Sequence, residues 1–109
     1  MADLLKVDGV DELCLPGVDG LTDPDRAGQW LAALAQIDLL IKAHAPEAIV
    51  VAGHQHCAGH PASDGEHLAD VQKTAVALKA ASGFDGPIHA MMLVYRNDRD
   101  WDIKPVAVF

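Results

Sequence analysis

Four side chains that can bind a metal ion lie within seven positions near the middle of the chain: His54, His56, Cys57 and His60. Imidazole nitrogen and thiolate sulfur are the ligands that zinc prefers in proteins. His54 and Cys57 are three residues apart, so both can project to one side if the chain turns into a helix there. The cluster therefore predicts a transition-metal site, with zinc as the preferred ion, at His54 and Cys57.

An apolar segment directly precedes this cluster and predicts the element that positions it. Residues 48–52 (AIVVA) are continuously apolar, which is typical of a strand covered on both faces of a parallel sheet. Residues 53–61 then form a loop at the carboxyl end of that strand. In open α/β sheets ligands bind beyond the carboxyl ends of the strands, so the histidine-rich loop has the position expected of a binding site.

Two helices are predicted, one on each side of this strand in the chain. Asp23 followed by a proline predicts an N-cap and the first turn of a helix, and we expect this helix to end near Ala45, ahead of the next proline. Ser63 and Glu66 have the spacing of a capping box at the start of the second helix. Leu68, Val71, Ala75 and Leu78 form its predicted apolar stripe. Gly83 is the predicted C-cap of that helix.

Three further strands complete the predicted fold. They are residues 11–16 (DELCLP), residues 88–95 and residues 101–109. Pro105 predicts that the last strand lies at an edge or carries a bulge, because proline cannot donate a backbone hydrogen bond. The order of elements predicts one α/β domain over residues 1–109: a small open, mainly parallel sheet flanked by helices, with a C-terminal hairpin.

Composition and charge exclude several classes of function. The chain has 109 residues, with 16 acidic against 8 basic side chains and a net charge of −8. This charge opposes binding to nucleic acid and to anionic membrane surfaces, so we expect neither partner. The two cysteines, Cys14 and Cys57, are fewer than a secreted disulfide scaffold would carry. Together with an acidic N-terminus unlike a secretory signal, they favour a reduced, cytoplasmic setting.

Residues 49–57 (IVVAGHQHC) resemble the second metal-binding motif of the beta-class carbonic anhydrases, in which a histidine and a cysteine with this spacing follow an apolar strand. The Pro16-Gly17 pair, the helix at residues 67–81 and a late hairpin bearing tryptophan match the family in order. The resemblance covers about residues 10–109. It implies a zinc cofactor, a homodimer and, if the protein is active, carbon dioxide or bicarbonate as substrate.

The chain departs from that family at its first motif. Beta-class enzymes carry Cys-x-Asp-x-Arg on an earlier strand, which supplies a zinc thiolate and an Asp–Arg pair, and this sequence contains no such motif. Candidates for the third ligand are Cys14, His56 and His60. Asp19 and Asp23 are candidates for a carboxylate that orients water, and Arg26 is the nearest basic residue that could hold it.

Two functions follow from this departure. The first is a zinc-dependent carbonic anhydrase with weak or lost carbon dioxide hydration. The second is a non-catalytic metal-binding or protein-interaction module on the same fold. A cysteine nucleophile at Cys57 is a third interpretation, with His54 or His56 as base. We expect His44 to cap a helix end, His67 to lie at the surface or against the loop, and His89 to lie half-buried in a strand.

Overall fold

The computed structural model describes residues 9–14, 17–55, 61–97 and 100–109. Two 3-10 turns, at Val18–Gly20 and Pro24–Arg26, precede the first helix. The regular elements are helix α1 (Ala27–His44), strand β1 (Ile49–His54), helix α2 (Asp64–Ser82), strand β2 (Ile88–Asn97) and strand β3 (Asp100–Val108).

The three strands form one open mixed sheet in the order β1-β2-β3. β1 and β2 are parallel, with Ile49 opposite Ile88 and His54 opposite Leu93. β2 and β3 are antiparallel and form the C-terminal hairpin. The predicted α/β class is confirmed, and the carboxyl end of β1 is the end at which His54 lies.

The predicted end of the first helix and both ends of the second are confirmed, whereas the first helix begins at Ala27, later than predicted, because Asp23 caps the preceding 3-10 turn. The Asp23 carboxylate accepts a hydrogen bond from the Asp25 backbone N–H at 3.0 Å, and Ala45 caps α1 in the left-handed conformation. At the start of α2, the Ser63 hydroxyl accepts from the Glu66 N–H at 3.2 Å, while the Glu66 carboxylate accepts from the Ser63 N–H at 3.3 Å. Gly83 ends α2 with a φ of 65°, a conformation that costs glycine little.

The core lies between one face of the sheet and α2. Its buried apolar residues are Val51, Val71, Ala75, Leu78, Ile88, Ala90 and Met92. Trp30, Leu34 and Ile37 of α1 pack against this cluster, so both helices contribute to it. Burying a large aliphatic side chain contributes about 1.5–3 kcal/mol to the free energy of unfolding. The shared core also holds β1 against α2.

Two details of the predicted elements are wrong. Residues 11–14 of the predicted first strand adopt no regular structure, whereas residues 15–16 lie outside the described part. Acidic residues are poor strand formers, and the Asp11 carboxylate instead pairs with His44 at 2.5 Å. Leu68, expected on the apolar stripe of α2, is 38% exposed.

The prediction for Pro105 is confirmed. β3 pairs only with β2 among the described strands, so it lies at an edge of the sheet. The register shifts between Ala90, which is opposite Ala107, and Met91, which is opposite Pro105. This bulge accommodates the missing N–H of proline. Within the described ranges, neither helix combines the length and apolar character needed to cross a bilayer.

Candidate metal centre at the carboxyl end of the sheet

His54 is the last residue of β1 and is half-buried. Its Nδ1 atom lies 2.8 Å from the backbone oxygen of Gln55. Because a carbonyl oxygen can only accept, Nδ1 carries the hydrogen and the lone pair lies on Nε2. Histidines that bind metals commonly have their second nitrogen held in this way, so the local geometry prepares His54 for binding through Nε2.

Aromatic side chains of the β2–β3 hairpin pack against the ring of His54. The rings of His54 and Trp101 are 5.8 Å apart at 84°, and those of Tyr95 and Trp101 are 4.9 Å apart at 80°. Both are edge-to-face contacts, which aromatic rings prefer. The hairpin therefore restricts the orientation of the proposed ligand.

Gln55 closes the loop that carries the predicted cluster. Its amide nitrogen donates to the Asp64 carboxylate at 2.7 Å, and its amide oxygen accepts from the Tyr95 N–H at 2.6 Å. Asp64 is the first residue of α2, so the two ends of the loop lie side by side at the edge of the sheet.

A buried histidine–aspartate pair lies close to the carboxyl end of β1. The Nδ1 atom of His67 is 2.5 Å from the Asp19 carboxylate, and the two side chains are 0% and 1% exposed. The expectation that His67 lies at the surface is therefore wrong, because Asp19 provides a partner within the core. The sequence of α2 indicated this burial. Val71, on the apolar stripe, lies four residues after His67, so the two side chains share one face of the helix.

Gly53 allows Asp19 to approach the strand. A Cβ atom at Gly53 would lie 2.8 Å from an Asp19 carboxylate oxygen and 3.0 Å from the sulfur of Met92. The Thr74 hydroxyl also donates to the Asp19 backbone oxygen at 2.9 Å. These contacts place the Asp19–His67 pair directly beside the residue that precedes His54.

The structure places the other predicted site residues as follows. Cys14 is an exposed free thiol. Asp23 caps the 3-10 turn, and the Arg26 guanidinium donates to the Gly17 oxygen at 2.5 Å. His56, Cys57 and His60 lie outside the described residues. In the described ranges no three histidine, cysteine or acidic side chains come together as a metal site, so a zinc site with three protein ligands needs at least one from outside these ranges.

The two remaining described histidines lie away from this end of the sheet. His44 is in the last turn of α1, where its Nδ1 atom contacts the Asp11 carboxylate, and its capping of the helix end stays a prediction. His89 lies half-buried near the start of β2. The imidazoles near the loop, His54 and His67, each have Nδ1 engaged, and this donor chemistry fits a zinc ion bound through Nε2.

Neither the curated proteins nor the solved structures contain a match to this chain. A family model described as "Putative carbonic anhydrase" matches residues 1–107. The match covers almost the entire chain, including β1 with His54 and the residues that follow it. The chain therefore belongs to this carbonic anhydrase family.

Proposed function

We propose that the protein is a zinc-binding relative of the beta-class carbonic anhydrases, with the metal held by His54 and Cys57. The observation that carries this proposal is the position of His54, at the carboxyl end of β1 with Nδ1 held by the Gln55 oxygen. Membership of the carbonic anhydrase family and the His-x-x-Cys spacing support it. Zinc, when bound, supplies a Lewis acid that activates water for attack on carbon dioxide.

We expect carbon dioxide hydration to be weak or lost. The beta-class Asp–Arg pair is absent, and both acidic candidates to replace it have other contacts. The Asp19 carboxylate is buried against His67, and the Asp23 carboxylate caps a turn. A carboxylate that orients a reactive water must be placed to within about 0.5 Å. The contacts of Asp19 and Asp23 hold their carboxylates for other purposes. Asp19 and Asp23 stay predictions as catalytic residues.

The alternative is a non-catalytic metal-binding or interaction module. Large apolar side chains remain at the surface: Leu31 and Leu39 of α1 are 65% and 66% exposed. In the hairpin, Tyr95 and Trp101 are 41% and 43% exposed. Apolar surface of this kind is typical of protein contacts, and it supports a second chain as partner whether or not the site is catalytic.

Metal content tests the proposed site. Protein purified without chelator should carry about one zinc per chain, because we expect at least three protein ligands. A site reduced to two protein ligands rarely retains zinc. His54→Ala and Cys57→Ala should each abolish the bound zinc. His89→Ala, at the other end of the sheet, is the matched control and should retain it. Wild-type protein that binds no zinc even after reconstitution would contradict the proposal.

Stopped-flow hydration of carbon dioxide separates the two functions. For the zinc-loaded protein we expect a rate close to the uncatalysed background. A rate well above background that disappears in His54→Ala would show an active enzyme and would make Asp19 and Asp23 the first carboxylates to replace.

A further inference from the structure

We propose that the outer face of α1 is a docking surface for a second copy of this chain, with the two α1 helices antiparallel across a two-fold axis at Ala35. The outer face consists of Gly28, Leu31, Ala32, Ala35 and Leu39. This interface does not depend on the proposed metal, so either proposal can fail without the other.

Apolar residues occupy two opposite sides of α1. Trp30, Leu34 and Ile37 pack against the core of the domain. On the other side, all five outer-face residues are exposed, and a Cβ atom added at Gly28 would meet no atom within 4 Å. A helix that is apolar around its circumference is typical of a buried element. We therefore expect α1 to be covered on its outer side as well.

The accessible area of the chain is large enough for a second copy to be buried against it. The chain exposes 6771 Å², whereas a folded monomer of 11.6 kDa is expected to expose about 5,800 Å². The excess of about 900 Å² is similar to the roughly 800 Å² that each partner buries in a stable interface. The chain therefore has the surplus surface expected of one half of a dimer.

The spacing of the outer face makes it complementary to itself. Ala35 lies midway between Leu31 and Leu39, so a two-fold axis at Ala35 brings Leu31 of each chain beside the partner's Leu39. Ala32 and Ala35 have small side chains, which allow two helices to approach to about 8 Å. A two-fold contact of this kind uses the same surface on both chains and closes as a dimer.

The charges at the two ends of α1 favour the antiparallel arrangement. Asp25 is exposed just before the helix begins, and Lys42 is exposed in its last turn. In an antiparallel pair each Lys42 lies near the partner's Asp25, whereas a parallel pair would place like charges together. Asp38, the acidic residue within the helix, is partly buried. The uncharged outer face thus allows two chains of net charge −8 to meet.

Replacing the residue on the axis tests the surface. Sedimentation equilibrium of the full chain should show a dimer, and Ala35→Arg should raise its Kd at least about 100-fold, because two unpaired guanidinium groups would be buried. Ala80→Arg, at an exposed position of α2, is the matched control and should keep the wild-type Kd. Circular dichroism checks that both variants are folded. A monomeric wild-type chain, or a folded Ala35→Arg with the wild-type Kd, would overturn the proposal.

A charge exchange tests the direction of the two helices. Lys42→Glu and Asp25→Lys should each raise the Kd about 5–10-fold at low salt, since each change turns two symmetric attractions into repulsions. The double variant restores both pairs and should return the Kd close to that of wild type. Lys73→Glu, on the exposed side of α2, has the same change in net charge as Lys42→Glu and should have no effect. Single variants as tight as wild type, or a double variant no tighter than either, would overturn the antiparallel arrangement.

Discussion

Gly53 shows how one residue type sets the position of the candidate site. The space for a side chain at this position is filled by the Asp19 carboxylate and the Met92 sulfur. The carboxylate of Asp19 in turn holds His67. A glycine at the end of β1 is therefore required for the close approach between this strand and the buried histidine–aspartate pair.

We expect Gly53→Ala to destabilise the protein by about 1–3 kcal/mol, the usual cost of inserting atoms into a packed core. Gly28→Ala is the matched control, because no atom lies within 4 Å of a Cβ added there and alanine favours a helix over glycine by up to about 1 kcal/mol. Urea denaturation measures both variants. A Gly53→Ala protein as stable as wild type would show that Asp19 can move away without cost.

Trp101 provides a spectroscopic reporter for His54, because the two rings are in contact at 5.8 Å. In a Trp30→Phe background, Trp101 is the only tryptophan. We expect one equivalent of cobalt(II) to quench its fluorescence, since a paramagnetic ion on His54 would lie close to the indole. Cys57→Ala in the same background should lose the quenching. Cobalt binding without quenching would place the ion away from His54.

At the scale of elements, the capping box of α2 connects helix stability with the site. Ser63 and Glu66 satisfy each other's backbone N–H groups, and the first turn that they fix contains His67. Asp64 in the same turn closes the loop through Gln55. A well-formed N-terminus of α2 therefore holds the Asp64 carboxylate that anchors Gln55, the residue after His54.

Ser63→Ala should lower the free energy of unfolding by about 1 kcal/mol, the typical cost of losing an N-cap. Ser63→Asp restores a cap acceptor and should recover most of that loss, which makes it the matched control. Thermal or urea unfolding measures the difference. Equal stability of the alanine and wild-type proteins would mean that tertiary packing alone holds the first turn.

At the scale of the whole molecule, exposed apolar residues on α1 favour self-association. Leu31 and Leu39 are eight residues apart, so they lie on the same side of the helix, and both are about two-thirds exposed. Apolar side chains grouped on one face commonly mark a protein contact. The net charge of −8 keeps nucleic acid an unfavourable partner.

Light scattering at micromolar concentration should give a homodimer, twice the chain mass of 11.6 kDa. Replacing Leu31 and Leu39 together by glutamate should shift the protein towards monomer, because charged groups would have to be buried. Leu68→Glu, on the exposed side of α2, is the control and should leave the mass unchanged. A wild-type monomer would contradict the predicted assembly.

The sequence by itself determined the elements whose signals are local. The capping box at Ser63 and the glycine cap at Gly83 involve residues a few positions apart, and both are observed. Asp23 is also observed as a cap, but of the 3-10 turn that precedes the first helix. The bulge at Pro105 follows from the absence of one N–H group. The apolar run before His54 identified β1 and the end of the sheet where the site lies.

Only the tertiary structure decided the contacts between distant residues. His67 and Asp19 are 48 residues apart. The spacing of His67 from Val71 indicates a shared helix face, but no local pattern indicates that Asp19 is its partner. Residues 11–14 of the strand predicted at residues 11–16 are irregular, because a strand forms only where a neighbouring strand accepts its backbone hydrogen bonds, and Asp11 pairs with His44 instead. Local hydrogen bonds can be inferred from spacing, whereas a buried polar pair depends on which surfaces the packed core brings together.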